Sequence, residues 1–508
     1  MTLKDYKRPT HPRNKVIEHF TKADRCLAEK NLADAESFYK KGLQDAPGHP
    51  AGTFNLGVTL LRQGKFAEAL EVSRQAVALA PDNPETHFTV GATLTEMSQW
   101  EEAVTVFSDL IAAHPGFMKA HVGLGGALLV CERNEDAITV LEKTLSRAAG
   151  EPPDLACLHL AVAYFHTGRL EESLHLLRDT LRRQPKTPYA ALFLYNIGTV
   201  LLASERVQES ILALRQSLTV APHLAETHLK LADALLVAGE VSSSFVEYEW
   251  RLRIDIHEMM KDLFRLYSDR LWTGESLSGW TILVVGEQGL GDVIQFVRYV
   301  PLLVERGARV VLVVHPILKS LLNSSLDASV VVTGLDELPP LFDVFCSLLS
   351  LPRVFGTTLH SIPAAVPYLR PPPALVEVWR ERLGTAGIKI GLVWRGNPSQ
   401  TNDHNRSAGA TRFLDLVAAF VGQVTFVSLQ KDPPAEEWAM MAPFVRDVNA
   451  DLKTFADTAA IIANLDLVIA VDTSVAHLAG AMGKPLWVLL TFAPSSRYML
   501  ERTDNPWY

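Results

Sequence analysis

Residues 31–84 read NLADAESFYKKGLQDAPGHPAGTFNLGVTLLRQGKFAEALEVSRQAVALAPDNP, and the placing of small residues and prolines in this stretch decides the fold of the first half of the chain. Pro47 and Pro81 stand 34 residues apart, Ala35 and Ala69 keep the same interval, and Gly57 lies between them. Carried forward, the pattern returns at Pro115, at Ala103 and Ala137, and at Gly91 and Gly125. Such a period marks a stack of units, each burying its apolar face against the next. Two antiparallel helices per unit account for the residue types. Small residues sit where the helix backbones approach, and proline ends the second helix because it lacks an N–H and clashes with the preceding turn. Tyr39 and Phe107 fill the space between helices. Beyond Pro115 the spacing loosens. Gly125 and Ala137 open a fourth unit, and residues 150–153 form a short insertion. Ala161, Tyr164 and Pro185 mark a fifth unit, Gly198 and Pro222 a sixth, and Ala232 with Tyr248 a seventh.

This is the tetratricopeptide pattern. It predicts an N-terminal extension over residues 1–15 and an all-α superhelix of about seven repeats over residues 16–255. A superhelix of this kind presents a concave groove suited to a peptide or helix of a partner protein. Asn55, Asn196 and His228 fall on first helices, which line that side, and are candidate groove contacts. Ordinary solvated surface is the alternative for each.

The chain has 508 residues, 48% of them hydrophobic and 21% charged, with a net charge of -9. That length divides into two or three domains, and the balance is globular. The negative charge argues against a general nucleic-acid or membrane-surface role. Cys26, Cys131, Cys157 and Cys346 are dispersed and form no metal or redox motif. With no apolar leader and no run long enough to span a bilayer, the expected setting is cytoplasmic.

Near residue 250 the helical period ends in YEWRLRIDIH, and residues 256–277 read as a polar connector. Short β-rich apolar runs follow at 281–285, 310–314, 329–332 and 344–346. After the proline linker RPPPA at 370–374, a second set falls at 388–394, 424–429, 467–471 and 486–490. Two β/α sets predict an α/β region of two Rossmann-like lobes, residues 278–370 and 371–508. In open parallel sheets ligands bind beyond the carboxyl ends of the strands, so the loops after strands are where chemistry is expected.

Three loops stand out. GEQGLGD at 286–292 follows the first run, and its spacing is neither a dinucleotide fingerprint nor a Walker sequence. Glu287, Gln288, Gly289 and Gly291 are loop candidates, and Asp292 is either a general base or a helix cap. WRGNPSQTNDHNRS at 394–407 is long and polar, either a functional loop or an exposed one. Within it Trp394, Arg395 and Asn397 are candidates, and Arg395 and Arg406 suit phosphate contacts. VDTSVAHLAGAMGKP at 471–485 ends a strand at Asp472 and starts a helix at Thr473 or Ser474, whose free N–H groups favour a phosphate. His477 on the first turn is a phosphate donor or a packed histidine.

YEWR at 248–251, GEQGLGD running into QFVRY, GLVWRGNP, ND-x-x-RS and DTSVAHLAGAMGKP together resemble the heptosyltransferase-like, family 9-like glycosyltransferases of the GT-B fold, in the version fused to tetratricopeptide repeats. The resemblance implies sugar transfer from a nucleotide donor as co-substrate, with no cofactor and no metal, the second lobe holding the donor. It implies Asp292 as the base, Arg406 as the cation at the leaving diphosphate, and Asp472, Thr473, Ser474 and His477 as the donor-phosphate segment. Family members continue past the point where this sequence reaches DNPWY at 504–508, with a strand and a helix that crosses back. The short first lobe leaves acceptor recognition to the repeats. Similar repeat-plus-transferase architectures modify serine or threonine hydroxyls, and the resemblance suggests a bacterial flagellin as one acceptor. The alternatives are a non-catalytic adaptor with a degenerate transferase domain, and a transferase for a lipid-linked or polysaccharide acceptor. An oxidoreductase lacks its glycine fingerprint.

Overall fold

The computed structural model describes residues 12–147, 150, 152–254, 258–398, 403–491, 495–500, 502 and 504–508. The chain forms two compact units, Met1–Arg206 and Val207–Tyr508.

In the first unit, helices pack in pairs: α1 (Pro12–Ala28) with α2 (Leu32–Asp45), α3 (Pro50–Arg62) with α4 (Phe66–Leu79), and α5 (Pro84–Glu96) with α6 (Trp100–Ala113). Next come α7 (Met118–Val130) with α8 (Asn134–Arg147) and α9 (Asp154–His166) with α10 (Leu170–Arg183), and α11 (Ala190–Ala203) packs on α10. Residues 12–15, expected in an extension, already belong to α1. Residues 1–11 lie outside the described residues. The side chains of Asn31, His49 and Asn83 accept the N–H groups of Asp34, Gly52 and Glu85, capping α2, α3 and α5. Pro50 and Pro84 occupy first helical positions, where an N–H would have no partner.

The period has a steric cause. A Cβ on Gly57 would lie 2.8 Å from Ser73 Oγ, one on Gly91 2.5 Å from Phe107 Cε1, and one on Gly125 2.6 Å from Leu141 Cδ2. In each case the neighbour is sixteen residues further on, on the partner helix. The Phe107 ring is also approached by Gly123, whose Cβ would lie 2.8 Å from it, so it is held between glycines of two helices. Ala35, Ala69, Ala103 and Ala137, each the fourth residue of a second helix, are fully buried.

The second unit begins with α12 (Val207–Val220), α13 (Ala225–Val237) and α14 (Val241–Tyr248), which runs into a 3-10 turn, Glu249–Arg253. At the fourth position of α10, α12 and α14 the alanine has become Ser173, Ser210 and Ser244, all buried. Ser173 Oγ donates to the Ala161 carbonyl at 2.6 Å and Ser244 Oγ to the Ala232 carbonyl at 2.7 Å, joining the two helices of a pair. This exchange is why the alanine marker fades after the fourth repeat.

The expected connector is a helix, α15 (Glu258–Tyr267). Its Met260 and Leu263 bury against Leu283, Val285, Val311, Val313 and Phe345, and Trp272 is fully enclosed with its indole N–H donated to the Glu275 carbonyl. The stretch reads as polar because one narrow face carries its contacts. Residues 255–257 lie outside the described residues.

Next come β1 (Thr281–Val285), α16 (Leu290–Phe296), α17 (Val300–Glu305), β2 (Arg309–Val314), α18 (Pro316–Ser325), β3 (Val330–Gly334), β4 (Val344–Ser347) and α19 (Leu351–Val354). Their strands form a parallel sheet in the order β3-β2-β1-β4. The second set is α20 (Pro373–Leu383), β5 (Ile388–Val393), α21 (Asp403–Arg406), α22 (Thr411–Ala419), β6 (Val424–Ser428), α23 (Ala435–Met441), β7 (Val445–Arg446), α24 (Phe455–Ala463), β8 (Leu467–Val471), α25 (Ser474–Ala481) and β9 (Leu486–Leu489). Its sheet, also parallel, has the order β7-β6-β5-β8-β9. The eight expected strands are present, because strands buried on both faces read as unbroken apolar runs. Two-residue β7 was too short to leave a pattern. The last two residues of the RPPPA linker already belong to α20, which starts at Pro373, where proline suits a first helical position. Among the described residues no helix is long and apolar enough to cross a membrane.

Gly91→Leu should lower stability by about 2–3 kcal/mol, since Phe107 cannot yield without meeting Gly123. Gly116→Ala, where an added Cβ meets nothing within 4 Å, should change it by less than about 0.5 kcal/mol. Thermal unfolding of the full chain compares the two.

Candidate functional site

The glycine loop after β1 is gripped by the last repeat. Glu287, 2% exposed, accepts from Arg251 Nε at 3.1 Å and Nη2 at 2.8 Å, and from the Ser347 hydroxyl. Arg251, 3% exposed, also donates to Glu249 at 2.8 Å, Ser350 Oγ at 2.9 Å and the Tyr248 carbonyl. A buried guanidinium is tolerated only when charge and donors are both answered, and here two carboxylates, two hydroxyls and a carbonyl answer them. The Tyr248 hydroxyl reaches Gln288 Oε1 at 2.7 Å, and burial pushes its pKa up to about 12, with the Asp292 charge adding to the rise. Gln288 takes a left-handed conformation, φ 70°.

Asp292 is the third residue of α16. Its Oδ2 accepts the Gly289 N–H at 3.1 Å, so the capping alternative is realised, and its Oδ1 pairs with Arg497. Capping leaves the base role open, since a carboxylate oxygen accepts more than one hydrogen bond. Gly291 marks a close approach of the two lobes. A Cβ there would lie 2.8 Å from His477 Cδ2 and 3.5 Å from Ser474 Cα.

On the second lobe, Asp472 closes β8 and Thr473 caps α25 in extended conformation. Thr473 Oγ1 is buried and bonds to none of the described atoms, so the start of α25 keeps a free hydroxyl beside its unpaired N–H groups. Asp472 Oδ1 accepts the Tyr498 hydroxyl at 2.9 Å and lies 3.7 Å from His477 Nε2. His477 is 6% exposed, its Nδ1 lying 2.9 Å from the Tyr508 hydroxyl. Burial, then the Arg497 charge, lowers its pKa from 6.5 to about 4, against the pull of Asp472 and Asp292. The imidazole is therefore neutral near pH 7 and brings no positive charge. Arg406 spans Asp403 Oδ1 at 3.0 Å and the Asp472 carbonyl at 3.4 Å.

The structure thus brings Asp292, Gly291, Arg406, Asp472, Thr473, Ser474 and His477 to one place between the sheets. Other candidates face elsewhere. Trp394 is buried with its indole on Glu437 Oε2 at 2.8 Å, Arg395 pairs with Glu437 Oε1 at 3.1 Å, and Asn397 is exposed. These two side chains anchor the strand end to α23 and are not turned to Asp472. Residues 399–402 of this loop lie outside the described residues. In the repeats, Asn55 Nδ2 donates to Asp24 Oδ1 at 3.1 Å and Asn196 Nδ2 to its own helix at Leu192. His228 stacks on Trp250 with 3.8 Å between ring centroids, and its nitrogens meet Glu247 and the Pro222 carbonyl. The three side chains expected to meet a partner are thus bonded within the fold, and His228 fastens the turn that carries Arg251.

Reading the sequence missed Arg497, Tyr498, Tyr508 and Arg298. Arg298, 4% exposed, donates to the carbonyls of Pro363 and Trp507 and to the Tyr368 hydroxyl. A lone arginine inside QFVRYVPLLV was the available signal for it. Among the described residues no group of three or more His, Cys, Asp or Glu side chains is placed to hold a metal ion.

A tetratricopeptide repeat model matches residues 27–87, and a second one matches 93–152, 132–188 and 158–225. The model of glycosyltransferase family 9 (heptosyltransferase) matches residues 422–498, which hold β6 to β9, α25 and the Arg497 turn. The chain is similar to the protein FlbA of Caulobacter vibrioides, 26% identical over 417 residues that cover 69% of this chain and 67% of that protein. A tetratricopeptide repeat protein from Parabacteroides merdae is 18% identical, with a TM-score of 0.42 over 50% of this chain and 98% of that one. A thermophilic repeat protein of Thermus thermophilus is 20% identical, with a TM-score of 0.31 over 37% of this chain and 99% of that one.

Arg251→Met should cost about 3–5 kcal/mol by leaving Glu287 buried and unpaired, and adding Glu287→Gln should recover much of it; denaturant unfolding measures both. Between pH 6.5 and about 4 the unfolded chain binds a proton that folded His477 refuses, so stability falls with pH through that window. The shift corresponds to about 3 kcal/mol. His477→Gln should therefore lose less stability on acidification than the wild type; an unchanged gap in Tm across the window would contradict a neutral buried imidazole.

Proposed function

We propose, from a chain that carries tetratricopeptide repeats and a glycosyltransferase family 9 segment, that it transfers a sugar from a nucleotide-sugar donor to a serine or threonine hydroxyl of a protein held by the repeats. The observation that carries this reading is the meeting of Asp292 with the start of α25 at Gly291, a carboxylate of one lobe beside the anion-favouring helix end of the other. In the reaction, the acceptor oxygen attacks the anomeric carbon and its proton passes to the Asp292 carboxylate. The bond from that carbon to the diphosphate oxygen breaks, and the diphosphate leaves with the electron pair. The N–H groups that open α25, the Thr473 hydroxyl and Arg406 answer the charge that develops on it. His477, being neutral, positions by packing under Gly291 and donates at most a hydrogen bond. The nucleotide sugar is a co-substrate, and no further cofactor enters the scheme.

The acceptor half of the reading rests on the repeats, whose general use is to hold polypeptides. A bacterial flagellin is one acceptor to assay. The pairing of Asp292 with Arg497 favours a second reading, a non-catalytic adaptor in which this carboxylate is purely structural.

Asp292→Asn separates the two. Loss of a general base should lower turnover by about 10²- to 10⁴-fold, with donor binding retained in calorimetry. Full transfer by this variant, scored by mass of the acceptor, would remove Asp292 as the base; donor binding without any transfer by the wild type would favour the adaptor.

A further inference from the structure

The 3-10 turn Ser496–Tyr498 makes three hydrogen bonds from three consecutive residues, each to an aspartate on a different element. Ser496 Oγ donates to Asp233 Oδ1 on α13 at 3.0 Å, Arg497 to Asp292 Oδ1 on α16, and Tyr498 to Asp472 Oδ1 at the end of β8 at 2.9 Å. A single short turn therefore joins the last repeat and both lobes. Met499, which follows it, holds a left-handed conformation at φ 57° with its side chain 7% exposed in the core. That backbone is strained for a non-glycine residue and persists only where packing fixes it.

Charge gives the turn its meaning. Asp292 and Asp472, from opposite lobes, both face the start of α25, and His477 beside them is neutral. A diphosphate arriving there meets two carboxylates. Arg497 lies within electrostatic reach of Asp292, Asp472 and His477 together, whereas Arg298 is spent on three carbonyls and Tyr368. Arg497 is part-buried, and among the described residues its hydrogen bond is to Asp292 alone. A guanidinium carries five N–H donors, so most remain for a second anion, and its fork suits phosphate oxygens.

We propose that Arg497 is a further donor-binding residue, which holds Asp292 in the ligand-free protein and turns to the diphosphate when the donor binds, releasing the Asp292 oxygen for the acceptor hydroxyl. This rests on the transferase reading above. It makes the base available only once the leaving group is in place.

Calorimetric titration of the full chain with UDP, GDP, CDP and ADP, and with the matching monophosphates, tests it. The diphosphate that binds the wild type should bind Arg497→Ala at least tenfold more weakly and Arg497→Lys in between, while the monophosphate loses no more than about twofold. Asp292→Asn should tighten the diphosphate severalfold with Arg497 present and not in the Arg497→Ala background, a coupling that a merely structural arginine would not show. Equal losses for mono- and diphosphate, a loss as large in Ser496→Ala as in Arg497→Ala, or the same Asp292→Asn gain in both backgrounds would each overturn the proposal. Binding of none of the four diphosphates by the wild type would overturn the transferase reading itself, and this inference with it.

Discussion

Arg251 and Glu287 are both almost fully enclosed, and each is tolerable only because the other is present. One stands on the turn that ends the repeats, the other in the loop that follows the first strand. The first lobe's share of the site takes its position from this pair. It fixes where the glycine loop starts, so it fixes where α16 begins and where Gly291 can touch His477. The Ser347 and Ser350 hydroxyls extend the pair to the end of β4, which ties three segments distant in sequence to one charge. Removing either charge leaves a bare ion inside, which ties the last repeat to the first lobe at this point.

The site itself is a balance of negative and positive groups in a narrow gap. Two aspartates and a neutral histidine line it, and arginines from α21 and from the Ser496–Tyr498 turn approach it from different sides. Neutrality of His477 is a consequence of packing. Gly291 leaves room for the imidazole to lie against α16, and that contact is what removes water from it.

How much of this could be read beforehand depended on the range of the forces involved. Gly57, Gly91 and Gly125 were legible because each is required by a neighbour sixteen residues away, and the requirement recurs. The strands were legible because parallel strands buried on both faces are apolar throughout. Asp292 and the Asp472–His477 segment were visible as polar groups at strand ends. Arg497 was not, since its partner lies 205 residues earlier and a contact of that range leaves no periodicity. The polarity of 256–277 misled because α15 buries only one face, and Asn55 and Asn196 look free in the sequence while their amides are engaged in the fold.

The serines that replace alanine at the fourth position of α10 and α14 grade the compliance of the repeats. Where Ala35, Ala69, Ala103 and Ala137 stand, the methyl group at that position meets the facing helix by dispersion, which has no direction. Where Ser173 and Ser244 stand, an interhelical hydrogen bond of 2.6 or 2.7 Å fixes the register of the pair, because sliding breaks it with no water at hand to replace it. The pair that carries Arg251 into the α/β region is thus locked by a bond that has a direction.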